Sequence, residues 1–240
     1  MERLPALFYF IHMVTLERIV ESLIKQIKPH INDDIIISEE WLIDMINQSR
    51  SAMLIKKYVA NENFINYFQD IELDVTLSHK ASIDGIELSF DYEIGVVKIP
   101  ALITRIGMKN IDYFGSPMLN TRMIDYVMFN EFISYDYHRF GSHMTCYTLR
   151  SDTIMIRNPK GMNKWLLRGL FGTPNDVPGY SYTESMYPID ESDLRQLEII
   201  CFQHIAPKLG MPIDLLNNAS DETANAPVKE QMKQQQEREE

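Results

Sequence analysis

Side chains capable of chemistry are present in this chain, but their spacing decides whether they can act together. The six histidines are His12, His30, His79, His138, His143 and His204. His138 and His143 share the stretch "YHRFGSH", yet no HExxH, HxH or carboxylate-flanked pair surrounds them. Zinc needs a set of nitrogen, sulfur or oxygen ligands converging in a tetrahedral array. Two histidines across a glycine turn do not supply one, so neither a metal nor another cofactor is expected. The two cysteines, Cys146 and Cys201, are far apart and lack CxxC spacing. That pattern fits a reducing compartment and excludes a disulfide scaffold. No GxSxG elbow is present. Both cysteines fall in apolar stretches and read as small core residues. The acidic pairs Asp33–Asp34, Glu39–Glu40 and Glu191 with Asp193 sit at turns and helix starts, where the helix dipole accounts for them. No catalytic residue is assigned. The alternative is a hydrolase with a non-standard site among the Asp, Tyr and His side chains of 135–143.

One stretch invites a ligand. Residues 168–192, "RGLFGTPNDVPGYSYTESMYPIDES", hold three glycines, three prolines and three tyrosines. Glycine-rich loops cradle phosphates, but neither GxxxxGK[ST] nor GxGxxG occurs here. No helix opens directly after the glycines, as a phosphate site would require. Pro174 and Pro178 also lack the N–H groups of an anion nest. The stretch reads as a structured connection. Phe171 and Tyr187 pin its ends, and Val177, Pro178, Gly179, Tyr180 and Tyr182 project towards a neighbouring subunit.

The elements around these residues follow from periodicity. The expected fold class is α+β, with an N-terminal helical hairpin, a β-rich central region, a C-terminal helix and an extended tail. Residues 1–68 form the hairpin. The apolar run from Leu4 to Val14 is too short for a membrane span, which needs ~20 residues. It continues into "TLERIVESLIKQIKP" as one amphipathic helix ending before Pro29. Met13 also reads as a natural start, which would leave Met1–His12 outside the native protein. Ser38 is a candidate N-cap for a second helix, whose stripe runs through Trp41, Leu42, Met45, Ile46, Ser49, Met53 and Leu54. Residues 69–188 are β-rich. "DIELDVTLS" and "IGVVKIPALI" read as strands, as does the aromatic run "TRMIDYVMFNEFISYDYHRFG". "MTCYTLRSDTIMIRNP" reads as two strands joined at Arg150–Asp152, and "NKWLLRGLFG" as one more. Residues 189–210 form a helix packed on the core, with Asp190 or Ser192 as N-cap and Pro207 and Gly210 at its end. Residues 211–240 form a docking arm or disordered tail, too polar to bury enough surface alone.

The chain has 240 residues and a formal net charge of −11. Such a balance disfavours general nucleic-acid or anionic-membrane binding. The one basic cluster in the helical zone is Arg50, Lys56 and Lys57. It could meet a polyanion only where copies from several subunits converge on one channel.

Three stretches together resemble a known family. The first is "LERIVESLIKQIKPHINDDIIISEEWLIDMINQSRSAMLIKKY", with its DDxxIS break and RSxxLIKK end. The second is "VVKIPALI" with "TRIG". The third is "LLRGLFGTPNDVPGY…YPIDESDLRQLEIICFQHIAPKLGMPIDLLNNASDE". Over residues 14–222 the chain resembles the head–tail connector ring proteins of crAss-like short-tailed phages infecting Bacteroidetes. The apolar run before Met13 and the Gln-rich tail depart from that pattern. The resemblance implies a structural virion protein of the neck or tail, without catalysis, assembled in the bacterial host cytoplasm. Its partners would be itself in a ring (a dodecamer by analogy with phage connectors), the portal protein and an adjacent neck or tail ring protein. Phage double-stranded DNA would pass non-specifically through the channel, and no membrane is involved. Arg50, Lys56 and Lys57 would then face the channel. The apolar anchor Ile213, Leu215 and Leu216 would dock the tail on the portal or a ring neighbour.

Overall fold

The computed structural model describes residues 14–31, 37–103, 110–117, 123–134 and 144–210. Helix α1 spans Leu16–Ile27 and buries Leu16, Ile19, Val20, Leu23 and Ile27, an i, i+3, i+4, i+7, i+11 stripe. Its N-cap is Thr15, whose side chain accepts a hydrogen bond from the Arg18 amide. Thr15 is extended, with φ −87° and ψ 159°, so the single helix expected from Leu4 is interrupted there. The cause is tertiary: Thr15 pairs antiparallel with Met186, which needs an extended backbone. Helix α2 spans Glu39–Ala60 and is capped by Ser38, as its sequence indicates. It ends at Asn61, in the left-handed conformation at φ 60°, which asparagine tolerates.

The middle of the chain is two sheets. The strands are β1 (Gln69–Asp74), β2 (Thr76–Ile83), β3 (Ile86–Lys98), β4 (Ile111–Gly115), β5 (Asp125–Tyr126), β6 (Cys146–Arg150), β7 (Thr153–Arg157) and β8 (Lys164–Gly169). One sheet has the order β1-β8-β4, the other β2-β3-β7-β6-β5. All pairings are antiparallel except β5 with β6. Asp84 and Gly85 turn the β2–β3 hairpin with φ 50° and 79°, the two positive values that a tight two-residue turn requires. Gly95 in β3 is needed for close approach: a Cβ there would lie 2.6 Å from Val75 Cγ1. The aromatic run after residue 121 is not one strand. It contributes the two residues of β5 and then a short helix, α3 (Phe129–Ser134). Phe132 on α3 is fully buried against the outer face of the five-stranded sheet. A helical turn places Phe129 beside it, three positions away, while Asn130 and Glu131 point outward.

Three cores hold these elements together. Between the sheets lie Ile71, Phe114, Tyr147, Ile154, Ile156, Trp165 and Leu167, with the Phe114 and Trp165 rings stacked at 5.5 Å. Met155 of β7 faces the other way, towards Phe132, Cys146 and Ile94. Strand β7 is therefore buried on both faces, which is why "TIMIR" shows no polar alternation at Ile154–Ile156. The third core is helical. Here α1 and α2 meet α4 (Leu194–Ile205) together with Tyr67, Leu170, Tyr187 and Ile189. The apolar face of α2 is divided between α1 and α4, and α4 takes the larger share. The fold is α+β, with a helical N-terminus, a β-rich middle and a C-terminal helix.

Candidate functional site

Arg50 is the residue whose surroundings differ most from expectation. It was grouped by sequence with Lys56 and Lys57 as a channel-facing cluster, but it is fully buried. The 3.6-residue period is the reason. Arg50 lies on the same stripe as Ile46, Met53, Leu54 and Lys57, facing the core, while Lys56 falls on the solvent side. Its guanidinium donates three hydrogen bonds, all to backbone carbonyl oxygens. Nε reaches Pro188 O at 2.7 Å, one terminal nitrogen reaches Phe171 O at 2.9 Å, and the other reaches Tyr67 O at 3.0 Å. The Tyr67 and Tyr187 rings stand 5.6 Å and 5.8 Å from Cζ, within cation–π range. Among the described residues no carboxylate pairs with it. Burial lowers its pKa from the ordinary value, while the phenol groups of Tyr187, Tyr67 and Tyr180 act in the opposite direction. An arginine starts so high that it stays charged.

The long connection from 170 to 193 wraps this arginine. Phe171 and Tyr187 are both buried, so they do fix its ends. The Tyr187 hydroxyl donates to Asn47 Oδ1 at 2.9 Å. Between them, the expected inter-subunit loop is mostly packed inward. Val177 is buried between the sheets, and Tyr180 packs against both that core and the helical one. Burial pushes the Tyr180 hydroxyl up to about 12. The Tyr182 hydroxyl donates to Glu39 at the start of α2. Only Pro178 and Gly179 are exposed. They form the tip of a turn closed by Tyr180 N donating to Val177 O at 3.0 Å, with Gly179 at φ 82°; proline then glycine at these positions is the type II pattern. The projecting part of the loop is thus two residues, because the flanking aromatic side chains have apolar cores within reach.

Lys57 is committed elsewhere. Its ammonium lies 2.9 Å from Asp193 Oδ2 and 3.3 Å from Glu62 Oε2. The Tyr67 hydroxyl donates to the same Asp193 oxygen at 2.8 Å. Asp190 accepts from the Ser192 amide and hydroxyl and from Asn66 Nδ2. These bonds lock the start of α4 to the end of α2. The hydrogen bond to Asp193 raises the Lys57 pKa. Burial, with the bond to Asp193, raises that of Tyr67. Burial holds both cysteines at about 11. Hydrogen bonds from Ser192 lower the Asp190 carboxyl. Each of these groups moves further from neutrality, so each is held in its resting state. General acid–base chemistry at pH 7 calls for the opposite displacement.

Lys56 is the one exposed member of the expected basic cluster. His138 and His143, with the Asp and Tyr side chains of 135–143, lie outside the described residues, as do Ile213, Leu215 and Leu216. Among the described residues no group of three or more His, Cys, Asp or Glu is placed to hold a metal ion, and no helix is long and apolar enough to cross a membrane. Sequence reading missed the Arg50 node, although a signal existed: a charge stood on the apolar stripe of α2. No protein-family model matches the chain, and no curated protein matches it in sequence.

Proposed function

We propose that this chain is a structural subunit of a phage head–tail connector, working without catalysis or cofactor. It assembles into a ring, a dodecamer by analogy with phage connectors, that joins the portal protein to an adjacent neck or tail ring protein. Phage double-stranded DNA passes through the channel without sequence-specific contacts. The protein resides in the virion neck or tail after assembly in the bacterial host cytoplasm.

What carries this reading is where its signature residues go. Arg50 belongs to the RSxxLIKK stretch, while Phe171, Tyr187 and Pro188 belong to the RGxF and YPI stretches. Residues far apart in sequence meet at one buried node that holds backbone rather than ligand. A sequence pattern kept for architecture suits a repeated building block better than an enzyme. Ring contacts are head-to-tail, so each subunit must present two different surfaces. Exposed apolar side chains do occur in two separate sets: Val59 and Ile65 where α2 leads to β1, and Met128, Ile133 and Met144 around α3 and β6.

Electron microscopy of the protein alone and mixed with its portal is the test. Coaxial rings bound to the portal are expected. A chain that stays monomeric by light scattering and shows no portal affinity would sink the reading.

A further inference from the structure

Beside the start of α1 lies an open groove of about 470 Å³. Clefts that accept ligands span ~300–1,000 Å³, so several large side chains fit. Val14, Phe68, Met186, Pro188, Ile189 and Leu194 give it apolar walls, and Asp190 and Glu191 stand on its rim. Met186 is 52% exposed, an apolar wall left facing water. Gln69 also lines the groove, and its Oε1 has no hydrogen-bond donor among the described residues.

The backbone indicates what lies along this groove. Tyr187 N donates to Val14 O at 2.9 Å, and Thr15 pairs antiparallel with Met186. Continued backwards from Val14, an antiparallel path passes Pro188, Ile189 and Asp190, along the groove. The residues upstream are "LPALFYFIHM", apolar at Leu4, Ala6, Leu7, Phe8, Phe10 and Ile11. We propose that the groove is the docking site for this chain's own segment Phe8–Met13, bound in cis as an extension of the Thr15–Met186 bridge. Apolar side chains from the segment fill the groove, and its backbone meets the Gln69 amide. The direct link from Met13 to Val14 holds the segment at an effective concentration of order millimolar or above. That favours it over a second copy or a free peptide. The segment also has the composition such a groove requires, being apolar yet too short for a membrane. The inference does not depend on ring formation and stands or falls on the monomer.

Hydrogen–deuterium exchange on the full chain tests it, with Phe8→Asn/Phe10→Asn as the comparison. In the double variant, amides of 186–194 should exchange roughly tenfold faster or more, as where a docked segment closes a locally open region. Amides of α2 around Met45–Leu54 should be unchanged, which shows that the variant is folded. A synthetic peptide of residues 4–13, added to the double variant, should restore the protection. Unchanged exchange at 186–194 in the folded double variant would overturn the proposal. Ile11→Cys with Glu191→Cys, residues that the bridge register brings near each other, should form an intramolecular disulfide. Disulfide-linked dimers instead would make a second copy the occupant and would also overturn it.

Discussion

Arg50→Met tests whether the buried guanidinium is the clamp of the fold. The substitution keeps an apolar stem of similar length on α2 and removes three donors at once. The carbonyl oxygens of Tyr67, Phe171 and Pro188 then lose their Arg50 hydrogen bonds. A buried polar group left without its partner costs about 1–3 kcal/mol, so three cost about 3–9 kcal/mol. Removing a buried charge works the other way, because several kcal/mol of desolvation penalty disappear with it. The net expectation is a loss of about 3 kcal/mol, a large share of the ~5–15 kcal/mol that holds a typical domain. At about 2–4 °C per kcal/mol for a chain of this size, the melting temperature should fall by roughly 6–12 °C. Urea unfolding is the primary assay, with a lower midpoint and an unchanged slope expected. Arg50→Lys should rescue little. An ammonium is a compact point charge that cannot span three carbonyls as a planar guanidinium does, and it is more strongly hydrated. If Arg50→Met loses less than about 1 kcal/mol, or Arg50→Lys matches the wild type, the charge relieved on substitution balances the bonds lost. The node would then not be what fixes the 170–193 connection.

Three smaller perturbations follow from the same geometry. Tyr187→Phe removes the buried hydroxyl bond to Asn47 and should cost about 1–2 kcal/mol in chemical denaturation; no loss would mean that the bond is not formed in solution. Asp190→Ala removes the cap that accepts from Ser192 and should cost ~1 kcal/mol at neutral pH. Because the folded carboxyl is held below its ordinary range, its contribution is present above the unfolded value of about 3.9 and is lost as pH falls below it. The gap between wild type and variant should therefore close in acid, and a gap that widens there would contradict the sign. Cys146 and Cys201 are buried, with thiols raised to about 11. An aromatic disulfide reagent at pH 8 should label neither in the native protein and both in denaturant, whereas rapid native labelling would contradict their placement.

Much of this protein is written in local pattern. The stripe of α1, the Ser38 cap of α2, the strands on either side of Arg150–Asp152 and the end of α4 at Gly210 each depend on neighbours a few residues away. Propensity and periodicity act over that range, so those elements were legible without coordinates. The aromatic run after residue 121 was misread because its composition suits a strand. Phe132 instead had a sheet face to pack on, and one helical turn delivers it there.

The sequence alone determined the α+β class, the positions of the helices and most strands, and the absence of a phosphate-loop motif in residues 168–192. It also put Arg50 on the core stripe of α2, although what would satisfy a charge there could not be read. Tertiary structure decided that, by bringing Tyr67, Phe171 and Pro188 to one side chain from 17, 121 and 138 residues away. It likewise turned Val177, Tyr180 and Tyr182 inward, where loop composition alone suggested projection. A donor's partners are set by which backbone carbonyls the packed chain leaves unpaired. Those exist only once the helical layer and the sheets have closed on each other.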